Sequence, residues 1–245
     1  MYFFGLYHWR VRFKRLGKAL VVAAVALVFV RSSSRWRRGA GLLGLGWAAH
    51  RGASALNALL TPAPWVVERY KYEALARALP TEGAECWLDV GCGTGRSLVG
   101  FSDLVPGGCR VVGLDVFDDR VVLGNGPGLA ARNARQAGLG SSMVRGDATR
   151  LPVATDSQDI TTACRLLHDL SRAEAEATLS ELHRVCAPGG AVGLFEIPIT
   201  HEGHAGDPAA YWEGLVAEAG FDVETVGEVP RRRSEQSYVV VVGRA

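Results

Sequence analysis

The sequence predicts an α/β fold, a parallel sheet with helices on both faces, joined to an apolar N-terminal helical extension. Three observations carry this. Short apolar runs alternate with helix-compatible stretches from residue 66 to residue 242. Residues 88–95 read Leu-Asp-Val-Gly-Cys-Gly-Thr-Gly, closely spaced glycines where a strand must turn sharply toward a ligand and into a helix. Residues 1–60 are a different material, with basic clusters around uncharged apolar runs. A chain of 245 residues can hold one medium α/β domain plus an extension.

The extension comes first. Arg10, Arg12, Lys14, Arg15 and Lys18 precede the uncharged run Ala19–Val30, and Arg31, Arg35, Arg37 and Arg38 follow it. A second, glycine-rich apolar stretch, Gly39–Ala49, continues to Leu60. At about 1.5 Å per residue the first run is short for a hydrocarbon core near 30 Å. It makes a transmembrane helix only if Leu16, Gly17 and a snorkelling Lys18 are included. Val28-Phe29-Val30-Arg31 offers no small-x-small cleavage pattern, which speaks against a signal peptide. A single span or a spanning hairpin puts one basic cluster on the outer side, against the positive-inside tendency. A hairpin that dips into one leaflet avoids that conflict. Residues 1–60 are therefore expected to form a membrane-associated extension; the alternative is a buried helical hairpin of a soluble domain. Thr61-Pro62-Ala63-Pro64 reads as the hinge into a second domain, 61–245.

Within that domain Val66–Leu79 has helical spacing. Strands are expected near 86–90, 110–115, 142–146, 159–164 and 190–196, and helices near 94–104, 119–137, 171–186 and 208–219. Ser171 with Glu174 is a capping-box signature. Pro188-Gly189-Gly190 is expected as the turn into the fifth strand. Phe221–Val229 and Ser237–Val242 read as two further strands joined by a turn with Arg231, Arg232 and Arg233. The formal net charge of +2 gives no bulk electrostatic case for nucleic acid. Five cysteines without a C-x-x-C pair suggest reduced thiols, and Cys86, Cys109 and Cys186 read as small core or strand-edge residues.

The glycine spacing is Gly91-x-Gly93-x-Gly95, with Arg96 where a dinucleotide fingerprint needs its third glycine. That favours a ligand carrying an amino acid and a nucleoside over a dinucleotide. Val111-Val112-Gly113-Leu114-Asp115 ends in an acid placed for ribose hydroxyls. Arg145-Gly146-Asp147-Ala148, then Asp159–Cys164 leading into Leu166-Leu167-His168-Asp169, then Ala191–Glu196 complete an ordered set. Over roughly residues 65–245 this set resembles the class I S-adenosylmethionine-dependent methyltransferases, especially the small-molecule branch that includes ubiquinone/menaquinone-type enzymes. The resemblance implies a Rossmann-like seven-stranded sheet with an antiparallel last strand and S-adenosylmethionine as cofactor. It implies that Asp89, Gly91, Gly93, Thr94 and Gly95 surround the methionine part and that Asp115 binds the ribose. Asp147 and Ala148 would flank the adenine, and Cys164 would sit near the sulfonium.

Methyl transfer needs alignment, exclusion of water and sometimes removal of a proton. His168 can orient or deprotonate a hydroxyl, or merely hydrogen-bond a neighbour. Glu196 ends the fifth strand on the same rim. His201 and His204 read as a solvated loop rather than a metal pair, and Tyr211 and Trp212 as packing. No Asn/Asp-Pro-Pro-aromatic motif follows Cys164, which disfavours a nucleobase amino target. The apolar extension suggests a lipid-soluble or membrane-borne acceptor, such as a quinol, a polyprenyl compound or a lipid. A cofactor made in the cytosol places the catalytic domain in the cytoplasm. The rival reading is a membrane-tethered binding or scaffold protein that keeps the cofactor fold without turnover.

Overall fold

The structure is a computed structural model and describes residues 1–204, 206–232 and 234–245. Along the chain run β1 (Leu6–Tyr7), α1 (Trp9–Val30), α2 (Arg35–Leu59), α3 (Arg69–Ala78), β2 (Cys86–Val90), α4 (Arg96–Phe101), β3 (Arg110–Asp115), β4 (Val122–Leu123) and α5 (Pro127–Gln136). Then follow β5 (Ser141–Arg145), β6 (Gln158–Cys164), a 3-10 turn (Leu167–Asp169), α6 (Arg172–Val185), β7 (Cys186–Glu196), α7 (Pro208–Glu218), β8 (Asp222–Pro230) and β9 (Ser237–Arg244). The chain divides into two compact units, one of Val67–Phe117 with Gly126–Ala245, the other of Tyr2–Val66 with Asp118–Asn125.

The larger unit is built on a seven-stranded sheet of order β5-β3-β2-β6-β7-β9-β8. The first five strands are parallel, and β9 runs antiparallel to both neighbours. The expected strands and the antiparallel last one are therefore present. Side chains of a strand alternate between faces, so Trp87 joins the cluster with Tyr72, Leu98 and Phe101, while Leu88 and Val90 join the cluster with Leu179, Leu182 and Trp212. Each fully buried leucine contributes roughly 1.5–3 kcal/mol by leaving water. Strand order reverses between β2 and β6, and ligands of such sheets bind at the carboxyl ends beside that reversal.

Helix α6 starts as its sequence predicts: the Ser171 hydroxyl accepts from the Glu174 N–H and the Glu174 carboxylate accepts from the Ser171 N–H. Two expectations are corrected. Pro188-Gly189-Gly190 is an irregularity within β7, where pairing steps from Gln158–Cys186 to Ile160–Ala191. The helix expected over 119–137 begins only at Pro127, which suits the first helical turn because it has no N–H to lose.

Asp118–Asn125 belong to the smaller unit. There Val122–Leu123 pairs antiparallel with Leu6–Tyr7, and the Trp9 indole N–H donates to the Asp119 carbonyl at 2.8 Å. Helices α1 and α2 form a hairpin. No helix among the described residues is long and apolar enough to cross a membrane, which corrects the transmembrane-helix expectation. The reason is charge placement: α1 is 22 residues long, but five cations occupy its first half, and α2 carries Arg35, Arg37, Arg38 and Arg51.

Candidate active site

The glycine loop leaves β2 at Val90. The Gly91 and Cys92 N–H groups both donate to the Leu114 carbonyl, at 2.7 and 3.1 Å, which ties the loop to β3. Gly95 has φ +81°, and a Cβ there would lie 3.0 Å from the Ala130 carbonyl of α5. Only glycine combines that left-handed conformation with so close a backbone approach. Thr94 is buried, and its carbonyl accepts from the Asn133 amide at 2.9 Å. The loop is thus held from β3 and from α5.

Asp115 ends β3 beside this loop. One oxygen accepts from the Gly93 N–H at 3.0 Å and the other from the Phe117 N–H at 2.6 Å. A carboxylate offers about four acceptor positions, and ribose hydroxyls would share these two oxygens with the loop. Arg145, at the end of β5, donates to the Val116 and Phe117 carbonyls and so holds the segment after Asp115. Asp147 is exposed. Its Oδ1 accepts from both the N–H and the hydroxyl of Thr149, which lowers its pKa, and Oδ2 has no partner among the described residues. That oxygen suits an adenine amino group, with Ala148 buried behind it.

Asp89 lies differently from the other acids. It is fully buried, and its carboxyl accepts from the Ser97 hydroxyl of α4 and, at 2.8 Å, from the Thr162 hydroxyl of β6. The Trp87 indole donates to the same Thr162 oxygen at 3.0 Å. Burial raises the Asp89 pKa to about 7 against the opposing pull of both hydroxyls, and the Asp115 charge adds to the rise. In this structure Asp89 braces the loop against helix and sheet. Cys164 ends β6 and is buried, and burial pushes its thiol well above the ordinary range. It is a protonated wall residue, not a nucleophile.

The structure brings His168 and Glu196 together. The His168 Nδ1 lies 2.6 Å from the Glu196 carboxylate. The other Glu196 oxygen accepts from the Leu166 and Leu167 N–H groups at 3.0 and 2.8 Å. Nδ1 thus faces the Glu196 carboxylate, and Nε2 lies 3.5 Å from the Asp169 carboxylate. Glu196 is completely buried at the end of β7. It therefore fixes both the turn after β6 and the orientation of the imidazole.

His201 is not a solvated loop residue. Its Nε2 lies 3.0 Å from the Leu167 carbonyl and must donate, so Nδ1 accepts from the Tyr211 hydroxyl at 2.6 Å. Tyr211 thus bonds His201, while Trp212 is core. Arg231 lies over the Tyr238 ring at 5.1 Å and Arg232 over the Tyr70 ring at 4.6 Å; Arg233 lies outside the described residues. Sequence reasoning overlooked Lys71 on α3. It is buried, with Nζ 3.2 Å from Glu68 and 5.1 Å from the centre of the Tyr238 ring. The signal was available: it is the one lysine after residue 18.

Known proteins agree with this geometry. Residues 88–190 match the family of methyltransferase domains. A demethylmenaquinone methyltransferase of Thermobifida fusca is 33% identical over 132 residues, covering 53% of this chain and 50% of that one. The chain spans about half the length of the curated relatives it matches. Among solved structures, the N-methyltransferase NodS of Bradyrhizobium japonicum, in complex with S-adenosyl-L-homocysteine, superposes with a TM-score of 0.57 at 17% identity, over 72% of this chain and 86% of that one. The [4+2]-cyclase SpnF superposes with 0.59 at 19% identity, over 72% and 80%. At such identities these likenesses speak for the fold. With the loop, Asp115 and Asp147 in place, the sheet unit is similar over residues 88–190 to methyltransferase domains and shares the fold of such enzymes.

Proposed function

We propose that the protein transfers a methyl group from S-adenosylmethionine to a small, lipid-soluble acceptor of the quinol kind. The observation that carries the reading is the grouping at the carboxyl ends of the strands. The glycine loop, Asp115 and Asp147 follow β2, β3 and β5, and the His168–Glu196 pair follows β6 and β7 across the order reversal. The named activity of the Thermobifida fusca relative supports a quinol-type acceptor. Attachment to a membrane through residues 1–60, with the catalytic domain in the cytoplasm, belongs to the same reading. A lipid-soluble acceptor and a cytosolic cofactor are its support.

When bound, the cofactor supplies a methyl group already activated on a sulfonium. Asp115 accepts from the ribose hydroxyls and Asp147 from the adenine amino group. His168 Nε2, 3.5 Å from the exposed Asp169 carboxylate, takes the proton of the acceptor hydroxyl as its oxygen or ring carbon becomes the nucleophile, and Glu196 and Asp169 stabilise the imidazolium that forms. Such a base is worth about 10²–10⁴ in rate.

The test is incorporation of labelled methyl into lipid extracted from membranes. His168→Gln should lose about 10²–10⁴ in kcat and keep wild-type affinity for S-adenosylhomocysteine. An unchanged kcat removes His168 from the chemistry. A second reading, cofactor binding without methyl turnover, is favoured by one observation, the shared fold of a cyclase. It prevails if the cofactor binds and no extract takes up label.

A further inference from the structure

We propose that the α1–α2 hairpin docks onto an anionic lipid leaflet and lies within that leaflet instead of crossing the bilayer. This rests on the membrane part of the proposed function and names its lipid class and mode.

Charge is the first support. Residues 1–67 contain ten Lys and Arg and not one Asp or Glu; the other 17 cations and all 25 acids lie beyond. The near-neutral total therefore conceals a formal +10 at the N-terminus against −8 in the rest. A polybasic segment of this kind is drawn to anionic headgroups.

Packing is the second support. The buried residues of the two helices are Ala19 and Ala26 on α1, with Gly41, Ala48, Ala55 and Leu59 on α2. A Cβ on Gly41 would lie 2.7 Å from the Ala26 carbonyl, and one on Gly44 3.0 Å from the Ala26 Cβ. Apart from Leu59 and Val30, which lies against Gly41, most large apolar side chains point away from this seam. Leu20, Val21, Val25, Leu42 and Leu43 are exposed, Leu43 at 78%. In water the hydrophobic effect puts large side chains inside a helix pair. In lipid that drive is missing, and close contact between small residues holds helices together. The hairpin is thus inside-out for water and well suited to hydrocarbon.

Geometry decides the mode. The uncharged stretches are 19–30 on α1 and 39–50 on α2, each about 18 Å long at 1.5 Å per residue. Arg31, Arg35, Arg37 and Arg38 bound this band at the tip, and Arg15, Lys18 and Arg51 bound it at the other end. Crossing a core of about 30 Å would drag one basic belt into hydrocarbon. Lying within one leaflet leaves both belts at headgroup level. Exposed Trp36 and Trp47, each with an arginine over its ring at 5.5 and 5.8 Å, suit that interface. A nucleic acid would answer the charge but not the apolar band between the belts.

The experiment floats the full-length protein with vesicles of phosphatidylcholine alone or mixed with phosphatidylglycerol, at low and high salt. Strong binding to the anionic vesicles, weakened by salt, is expected. Replacing Arg31, Arg35, Arg37 and Arg38 together with Gln should weaken it by roughly three orders of magnitude. The pair Leu20→Gln and Leu43→Gln should also weaken it. Both variants should keep wild-type affinity for S-adenosylhomocysteine, which shows that they fold. Equal binding to both vesicle types, wild-type binding by the variants, preference for duplex RNA, or self-association through Leu20 and Leu43 without vesicle binding would each overturn the proposal. Methyl transfer to an extracted acceptor in detergent is measured separately. Vesicle binding without turnover leaves the docking standing and sinks the catalytic reading; turnover without vesicle binding does the reverse.

Discussion

The sheet unit fully buries large side chains, among them Trp87, Leu88, Leu98, Leu179 and Trp212. In the hairpin the buried positions are mostly alanine and glycine, and most of the leucines and valines face outward. Charge divides in the same way, with both signs in the sheet unit and one sign along residues 1–67. Acids and bases pair in the sheet unit, as in Arg184 with Glu181 and Arg69 with Asp103. The difference teaches that one chain can carry two solutions to burial. One is built by expelling large apolar groups from water, the other by close approach of small ones.

Truncation should separate the two units most sharply. Leu179→Ala in the sheet unit should cost about 2–5 kcal/mol, read from denaturant unfolding of the full chain without lipid. Leu43→Ala should change stability by less than about 0.5 kcal/mol under the same conditions. Equal costs would mean that Leu43 is buried in solution and would break the comparison.

The ligand side offers the next effect. Asp115→Ala should weaken cofactor binding by about 1.5–3 kcal/mol, as expected for hydrogen bonds to a charged group, measured by calorimetry. Unchanged affinity would take the ribose contact away from Asp115. Asp89 tests the buried brace through pH. Its folded pKa of about 7 lies above the ordinary carboxylate value, so the native state holds a proton that the unfolded state has released. Its contribution should make stability fall as pH rises from about 4 to 7 and level off above that. Asp89→Asn keeps one acceptor oxygen, with its amide N–H groups donating to the other hydroxyl, and should remove that fall. A variant with the wild-type pH profile would show that Asp89 does not titrate in this range.

Smaller effects sharpen the same contrast. Ser171→Ala removes the cap of α6 and should cost about 1 kcal/mol in thermal or denaturant unfolding. Gly46, exposed within α2 with nothing near its Cβ position, should give the opposite sign. Gly46→Ala is expected to raise helix stability by about 0.5–1 kcal/mol, seen as increased helicity by circular dichroism. No gain would indicate a backbone constraint at that position.

Much of the sheet unit was legible because its signals are local. Strand ends, the Gly91-x-Gly93-x-Gly95 loop, the acid at Asp115 and the Ser171 cap are each decided within a few residues. The segment 119–126 was misread because the strand partner of Val122–Leu123 is Leu6–Tyr7, far upstream. A helix pattern was extended over residues that pair elsewhere. The charge division was present in the sequence but hidden by a total near zero.

By itself the sequence determined most strands and helices of the sheet unit, the place of the glycine loop and the one-signed charge of residues 1–67, since periodicity, turn chemistry and composition act over short stretches. Only the tertiary structure decided that Glu196 and His168 meet, that Asp89 turns inward to Ser97 and Thr162, and that the hairpin hides its small residues and shows its large ones. Those outcomes depend on which surfaces come together in space. A carboxylate between two hydroxyls and a carboxylate facing a ligand are the same letter in the chain.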